Sequence, residues 1–204
     1  MPANNLERLI VAVTGASGAL YAVRFVKACL DLGLRVDLVP SDYGKRLLIE
    51  ECELNLKTEE IGAWLDRQYG AEGRPGVVEV HNPHDLGDDI ASGSQRRDAM
   101  VVIPCSMKTL SGIAHGGASN LIERSADVTL KENRPLILVP RECPLNMIHL
   151  ENMTRAARAG ALIVPAMPAF YFKPQSFEDL ADFIAGRVLS LLGQSHSLYE
   201  PWQG

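Results

Sequence analysis

The segment Thr14-Gly-Ala-Ser-Gly-Ala19 follows a short apolar run, Leu9 to Val13, and leads into a stretch where Leu20, Val23, Val26 and Leu30 recur at helical spacing. Gly15, Ser17 and Gly18 are small enough for the backbone to turn tightly and approach a ligand. Such a turn aims free N–H groups and the positive end of a helix at one place, which suits an anion and most often a phosphate. The pattern G-x-x-G is neither the G-x-G-x-x-G of dinucleotide folds nor a Walker loop ending in Lys-Ser/Thr. A plain tight connection is the competing reading. Hydroxyls recur at similar junctions. Ser41 directly follows the strand-like run Arg35 to Pro40, where it either caps the next helix or faces the same crevice as Ser17. Ser106 and Thr109 follow Ala99 to Pro104, and Arg141-Glu142 follows Leu136 to Pro140.

Cations stand where packing alone does not call for them. In the last helical segment Leu180, Ile184, Val188 and Leu191 form an apolar stripe, and Arg187 falls seven residues after Leu180 and four before Leu191. A guanidinium there needs an anion or must snorkel to an edge; a structural salt bridge is the alternative to a ligand. Arg124 and Lys131 are seven apart on one helical face with Asp127 between them, which also fits a solvated ion-pair row. Together with the strand-end hydroxyls, these three cations favour a phosphate site. Other groups carry less. His81-Asn-Pro-His84 has metal-like spacing but no accompanying carboxylate or cysteine ligand set, and reads as a surface loop. Cys105 has only distant histidines, His115 and His149, and reads as a packing residue. Tyr199 and Trp202 in the tail read as packing anchors, a subunit contact or a lid.

The elements that must position these groups alternate in type. Strand-like runs at 9–13, 35–40, 77–80, 99–104, 136–140 and 161–165 are separated by helical stretches. These run from 19 to 30, from Ser41 toward Cys52, from Thr58 to Tyr69, from Leu121 to Asn133 behind Asn120, and from Asn146 to Ala159. A short helix follows Thr109, and a last one starts behind Ser176. Residues 81–94 are polar and irregular. Such alternation predicts a parallel sheet covered by helices on both faces, with ligands at the carboxyl ends of the strands. That geometry brings Ser17, Ser41, Ser106, Thr109, Arg141, Glu142 and the Tyr171 loop to one edge. The 204 residues suit one α/β domain, 1–204, with a C-terminal tail from about residue 195. A net charge of −5 does not suggest a nucleic-acid partner, and no apolar run approaches the ~20 residues of a membrane span. The N-terminal residues do not read as a signal peptide. Four scattered cysteines without a Cys-x-x-Cys pair fit a reduced, cytoplasmic compartment.

Taken in order, several segments are similar to those of the UbiX-type flavin prenyltransferases over essentially the whole chain. They are Thr14-Gly-Ala-Ser-Gly-Ala19, Ala91-Ser-Gly-Ser94, Pro104-Cys-Ser-Met-Lys-Thr-Leu-Ser-Gly112, Ala126-Asp-Val-Thr-Leu-Lys-Glu132, Val139-Pro-Arg-Glu142, Ile148-His-Leu-Glu-Asn-Met153 and Pro168-Ala-Phe-Tyr-Phe-Lys-Pro-Gln-Ser176. The resemblance implies a Rossmann-like three-layer αβα domain with a mostly parallel sheet, in a large homo-oligomer, dodecameric in the family. It implies transfer of a dimethylallyl group from dimethylallyl phosphate to reduced FMN, without a metal. The product, prenylated FMN, serves UbiD-type decarboxylases. By motif, Gly15, Ala16, Ser17, Ser41, Ser106, Met107, Lys108, Thr109 and Arg141 match the FMN-binding set. Arg124, Lys131, Tyr171 and Arg187 match the prenyl-phosphate ligands. Glu51 and Glu142, with Ser17, match the catalytic groups, and Trp202 is a candidate to face the allylic cation. Thr14 stands where Ser is frequent, and Cys143 after the Arg-Glu pair is a second small departure. A cysteine decarboxylase relative and a non-catalytic FMN carrier are the alternatives. The former lacks support because the run Pro-Ala-Ser-Ala-Asn-Thr is absent; the latter needs no second phosphate site. The donor's one or two phosphates and the downstream pathway stay open.

Overall fold

Continuous apolar runs joined through helices form strands buried on both faces. The computed structural model describes residues 6–70, 73–200 and 202. Its strands are β1 (Arg8–Val13), β2 (Arg35–Pro40), β3 (Val77–Val80), β4 (Ala99–Cys105), β5 (Leu136–Pro140) and β6 (Leu162–Ile163). They make one sheet in the order β3-β2-β1-β4-β5-β6, with every neighbouring pair parallel. The helices are α1 (Ala19–Asp31), α2 (Asp42–Cys52), α3 (Ile61–Tyr69), α4 (Met107–Ala114), α5 (Leu121–Lys131), α6 (Met147–Arg158) and α7 (Phe177–Leu191).

Because side chains alternate along a strand, the sheet supports two cores. Leu9, Val11, Leu38, Val101 and Ile137 pack with Phe25, Leu48, Trp64, Ile184 and Val188 from α1, α2, α3 and α7. Ile10, Ala12, Val39, Met100 and Leu138 pack with Leu110, Ile122 and Ala156 from α4, α5 and α6. The result is the three-layer αβα arrangement expected, its sheet wholly parallel. No helix among the described residues is long and apolar enough to cross a membrane.

Several boundaries differ from the sequence reading. The third helix begins at Ile61 rather than Thr58, because Asn55 first closes a turn, its carbonyl accepting from the Thr58 and Glu59 N–H groups. The expected strand 161–165 pairs only through Leu162 and Ile163 at the sheet edge. The helix expected to reach Asn133 ends at Lys131, and Asn133 takes a left-handed conformation (φ 54°).

Two charged residues are corrected more substantially. Arg187 is exposed, not buried in the stripe. The buried face of α7 is centred on Ala181, Ile184, Ala185 and Val188, which leaves Leu191 43% exposed and turns Arg187 outward. The ion pair between α1 and α7 is instead Arg24 with Asp182, bidentate at 2.6 and 2.5 Å, and the same guanidinium lies 4.6 Å from the Tyr69 ring centroid. His81, read as part of a surface loop, is buried. Its Nε2 lies 3.0 Å from Asp37 of β2 and its Nδ1 2.7 Å from Asp88. Asp37, 0% exposed, also accepts from Arg8 of β1 and from Arg97, whose other nitrogen is 2.9 Å from both oxygens of Asp89. Glu79 of β3 completes this cluster through Arg8. Burial alone would raise the Asp37 pKa, but the hydrogen bonds from His81, Arg8 and Arg97 hold it well below the usual carboxylate range.

Candidate functional site

The chain runs outward from β1 through β2 to β3 and then returns to β4 on the other side of β1, so the strand order reverses between β1 and β4. In open parallel sheets the loops beyond the carboxyl ends of such strands part and leave a crevice. Here the two ends are stitched together by Thr14. Its hydroxyl donates to the Pro104 carbonyl at 2.8 Å and accepts from the Ser106 N–H at 2.8 Å. That stitch fixes the glycine-rich turn against the start of α4. Ser106 caps α4, its Oγ accepting from the Thr109 N–H at 3.3 Å and lying 3.1 Å from the Thr109 hydroxyl. Ser41 likewise caps α2 through the Gly44 N–H at 3.0 Å. Gly44 must be glycine, since a Cβ there would lie 2.2 Å from the Val13 carbonyl oxygen. Close packing at that point brings Ser41 beside the end of β1.

A cavity of about 470 Å³ opens over these strand ends. Of the residues expected to act, it gathers Gly15, Ser41, Ser106, Met107, Lys108, Thr109 and Glu142. The sequence left open whether Ser41 caps a helix or faces the crevice, and it does both. Asp42, Tyr43, Pro83, His84, Asn120, Ile122 and Glu123 complete the wall and were not singled out as site residues. Tyr43 and His84 follow the carboxyl ends of β2 and β3, so the strand-end rule applied to every strand would have found them. Glu123 is 6% exposed and accepts from the N–H and hydroxyl of Ser119 at 3.0 and 2.6 Å, joining the start of α5 to the loop after α4.

A second group supports the turn without lining the cavity. The Glu51 carboxylate accepts from the Gly18 and Ala19 N–H groups at 2.8 and 2.7 Å, so the anion expected at the start of α1 is supplied by the chain itself. Arg141 donates from Nε to the Ser17 carbonyl at 2.8 Å. Ala16 is buried beneath the turn and Ser17 is exposed on it. Glu142, by contrast, belongs to the cavity wall and stands exposed there, with one oxygen accepting from the Cys143 N–H at 3.0 Å.

The other four expected residues lie outside the cavity wall. Arg124 pairs with Asp127 at 2.9 Å and donates to the Ala91 carbonyl at 3.2 Å; Lys131 pairs with Glu132 at 2.7 Å, not with Asp127. Tyr171 meets Phe172, Phe183 and Trp202 edge-on, with centroids 5.8, 6.1 and 5.4 Å away. Arg187 lies one turn beyond Phe183 on α7 and so shares its face. Its guanidinium has no hydrogen bond or ion pair among the described residues. Cys105 is buried and its thiol is pushed up to about 12 by that burial, in keeping with a packing role.

A family model described as Flavoprotein matches residues 3–189. A flavin prenyltransferase UbiX of Halalkalibacterium halodurans is 46% identical over 192 residues, covering 94% of this chain and 91% of the relative. The crystal structure of AnUbiX in complex with FMN and dimethylallyl pyrophosphate superposes with a TM-score of 0.86 at 41% identity, covering 97% of this chain and 98% of that one. A dodecameric FMN-dependent UbiX-like decarboxylase from Escherichia coli gives a TM-score of 0.85 at 42% identity, over 97% and 100% of the two chains.

Proposed function

The chain belongs to the UbiX family of flavin prenyltransferases, and from that premise we propose which of its residues carry the reaction. The enzyme joins a dimethylallyl group from a dimethylallyl phosphate to reduced FMN and releases prenylated FMN. The observation that carries the site assignment is the cavity at the β1–β4 reversal, which collects hydroxyls, a lysine and the Glu142 carboxylate from the ends of several strands. Its volume lies in the usual range for small-molecule sites. The donors fit a phosphorylated flavin: Ser41, Ser106 and Thr109 offer hydroxyls, Lys108 a cation, and Gly15 a backbone without a side chain in the way. Ala16, Ser17 and Arg141 act by holding the turn that faces this space.

Reduced flavin supplies the electron-rich ring that accepts the allyl group. The protein must stabilise the phosphate as it departs and move protons. Arg187 and Tyr171, on one face of the α7 region, and Arg124 and Lys131, on α5, are assigned to the departing negative charge, where cationic and hydroxyl donors act most strongly as charge develops. Since the four lie outside the cavity wall of a single chain, we assign their convergence to a homo-oligomer in which a neighbouring copy brings the missing cations to each cavity. Glu142, on the wall, is assigned the exchange of a proton with the reacting groups. Glu51 and Ser17 hold or relay from the α1 side. The free Cys29, Cys52, Cys105 and Cys143 agree with a reducing, cytoplasmic location, from which the product passes to a UbiD-type decarboxylase.

Anaerobic incubation with reduced FMN and either dimethylallyl monophosphate or diphosphate tests the reaction. The flavin should gain the mass of one prenyl unit with at least one donor. Unchanged flavin mass with both donors rejects the assignment.

A further inference from the structure

The Asp37 cluster lies outside the cavity wall, yet it is joined to that wall by main-chain bonds. Residues 81–97 leave β3, cross to β4 and are held to the sheet at two points, His81 and Arg97 both binding Asp37, and are braced internally, Asp88 binding His81 and Asp89 binding Arg97. Helix α5 then hangs from this segment. The Leu121 N–H donates to the Pro83 carbonyl at 2.8 Å, the Ser125 hydroxyl to the Ile90 carbonyl at 3.4 Å, and Arg124 to the Ala91 carbonyl. Pro83 and His84 of the segment line the cavity themselves, as do Asn120, Ile122 and Glu123 of the suspended helix and its cap. The carboxylates and imidazole of the cluster are close enough to be considered for a metal. Two guanidiniums already occupy the Asp37 oxygens, so its charges are answered within the protein.

We propose that the Asp37–His81–Arg97 cluster is a positioning device for the reaction: by clamping residues 81–97 to β2, it sets where α5 stands, and with it one wall of the flavin cavity and the placement of Arg124 and Lys131. The inference rests on the flavin-site reading above. Buried ion clusters often contribute little net stability compared with an apolar core, and in some proteins they are retained because they fix one geometry. Hydrogen-bonded networks in a low dielectric fix one arrangement.

The clamp has a built-in pH limit. His81 is faced by Asp37 from β2, Arg8 from β1, Glu79 from β3, Asp88 and Asp89 from the intervening turn, and Arg97 from the chain before β4. The hydrogen bond to Asp37, opposed by burial and aided by Asp88, raises its pKa from 6.5 to about 9. His81 is therefore a cation at neutral pH. The stabilisation it provides is complete below about 6.5 and is lost as pH rises through about 9.

His81→Gln tests this, with FMN affinity followed by flavin fluorescence from neutral pH to beyond the His81 transition. At neutral pH the variant should bind FMN about tenfold more weakly, the scale of one lost charged hydrogen bond, with unchanged far-UV circular dichroism. The gap should close at alkaline pH, where wild type loses its own imidazolium. Free flavin is common to both proteins, so its own titration cancels. Equal affinity at neutral pH, or a gap that is constant with pH, overturns the proposal. Should His81→Gln fail to fold, Asp88→Asn removes a carboxylate from the more exposed side and allows the same comparison. A wild type that binds FMN but forms no prenylated flavin counts against the reaction alone; equal affinities count against the clamp alone.

Discussion

The Asp37 cluster and the strand-end cavity treat charge in opposite ways. In the cluster every buried charge meets another: one carboxylate takes bonds from two arginines and a histidine, and three further carboxylates answer those in turn. Around the cavity, Lys108 and Glu142 are exposed, and among the described residues the Glu142 carboxylate accepts only from the neighbouring Cys143 N–H. Arg187 stands open on α7. The reason is desolvation. A buried ion must be matched within the protein, whereas one at an opening is satisfied by water until a ligand replaces it. Charge fully answered inside fixes geometry; charge left to solvent at a cavity is available for chemistry.

The largest expected effect is on the open side of that contrast. Glu142→Gln retains size and hydrogen bonding but cannot exchange a proton near neutral pH. Prenyl transfer should slow by roughly 10²–10⁴-fold while FMN still binds. Absorbance and mass of the flavin, followed anaerobically, give the rate, and wild-type turnover in the variant would remove Glu142 from the mechanism. On the closed side, Asp37→Asn leaves Arg8, Arg97 and His81 facing one another without their shared anion. Unfolding in urea should show a loss of about 3–5 kcal/mol, the range for breaking a buried ion pair. A loss no larger than that from removing the exposed Arg46–Glu50 pair would erase the distinction between the two regions. Because the Asp37 pKa is depressed, its contribution is present above the usual carboxylate range and falls away only as pH drops below it. The smallest effect belongs to Arg187→Met. Stability should change by no more than about 0.5 kcal/mol, as for other exposed positions, while the KM for the prenyl donor rises by about tenfold. A stability change without a donor effect would make Arg187 a structural residue after all.

The layers of the fold were legible because parallel strands buried on both faces are written as unbroken apolar runs. The caps were legible because Ser41, Asn120 and Ser176 stand immediately before helical spacing begins, and each side chain accepts the bond expected of it. Strand-end position alone found Ser41, Ser106, Thr109 and Glu142. The orientation of α7 was harder to read. Its buried face is built partly from Ala181 and Ala185, and small residues weigh little in an apolar stripe, so the larger Leu180 and Leu191 define a stripe that takes Arg187 inward with it. The Asp37 cluster left no local trace. Its members come from residues 8, 37, 79, 81, 88, 89 and 97; the parallel register of β1, β2 and β3 brings the first three together, and the path of the crossing segment brings the other four.

The bonds that suspend α5 have a consequence for how this protein can change over generations. All three end on backbone carbonyls of the crossing segment, those of Pro83, Ile90 and Ala91. A carbonyl oxygen is offered by any amino acid, so these bonds by themselves set no requirement on the side chains of that segment, and its exposed positions are free to drift while the helix keeps its place. The constraint falls on the path of the main chain, and thus on the few charged side chains that pin it. Substitutions can accumulate at the exposed positions between the pins that do not line the cavity, such as residues 85–87, whereas insertion of a single residue there would move both the carbonyls and the helix they hold.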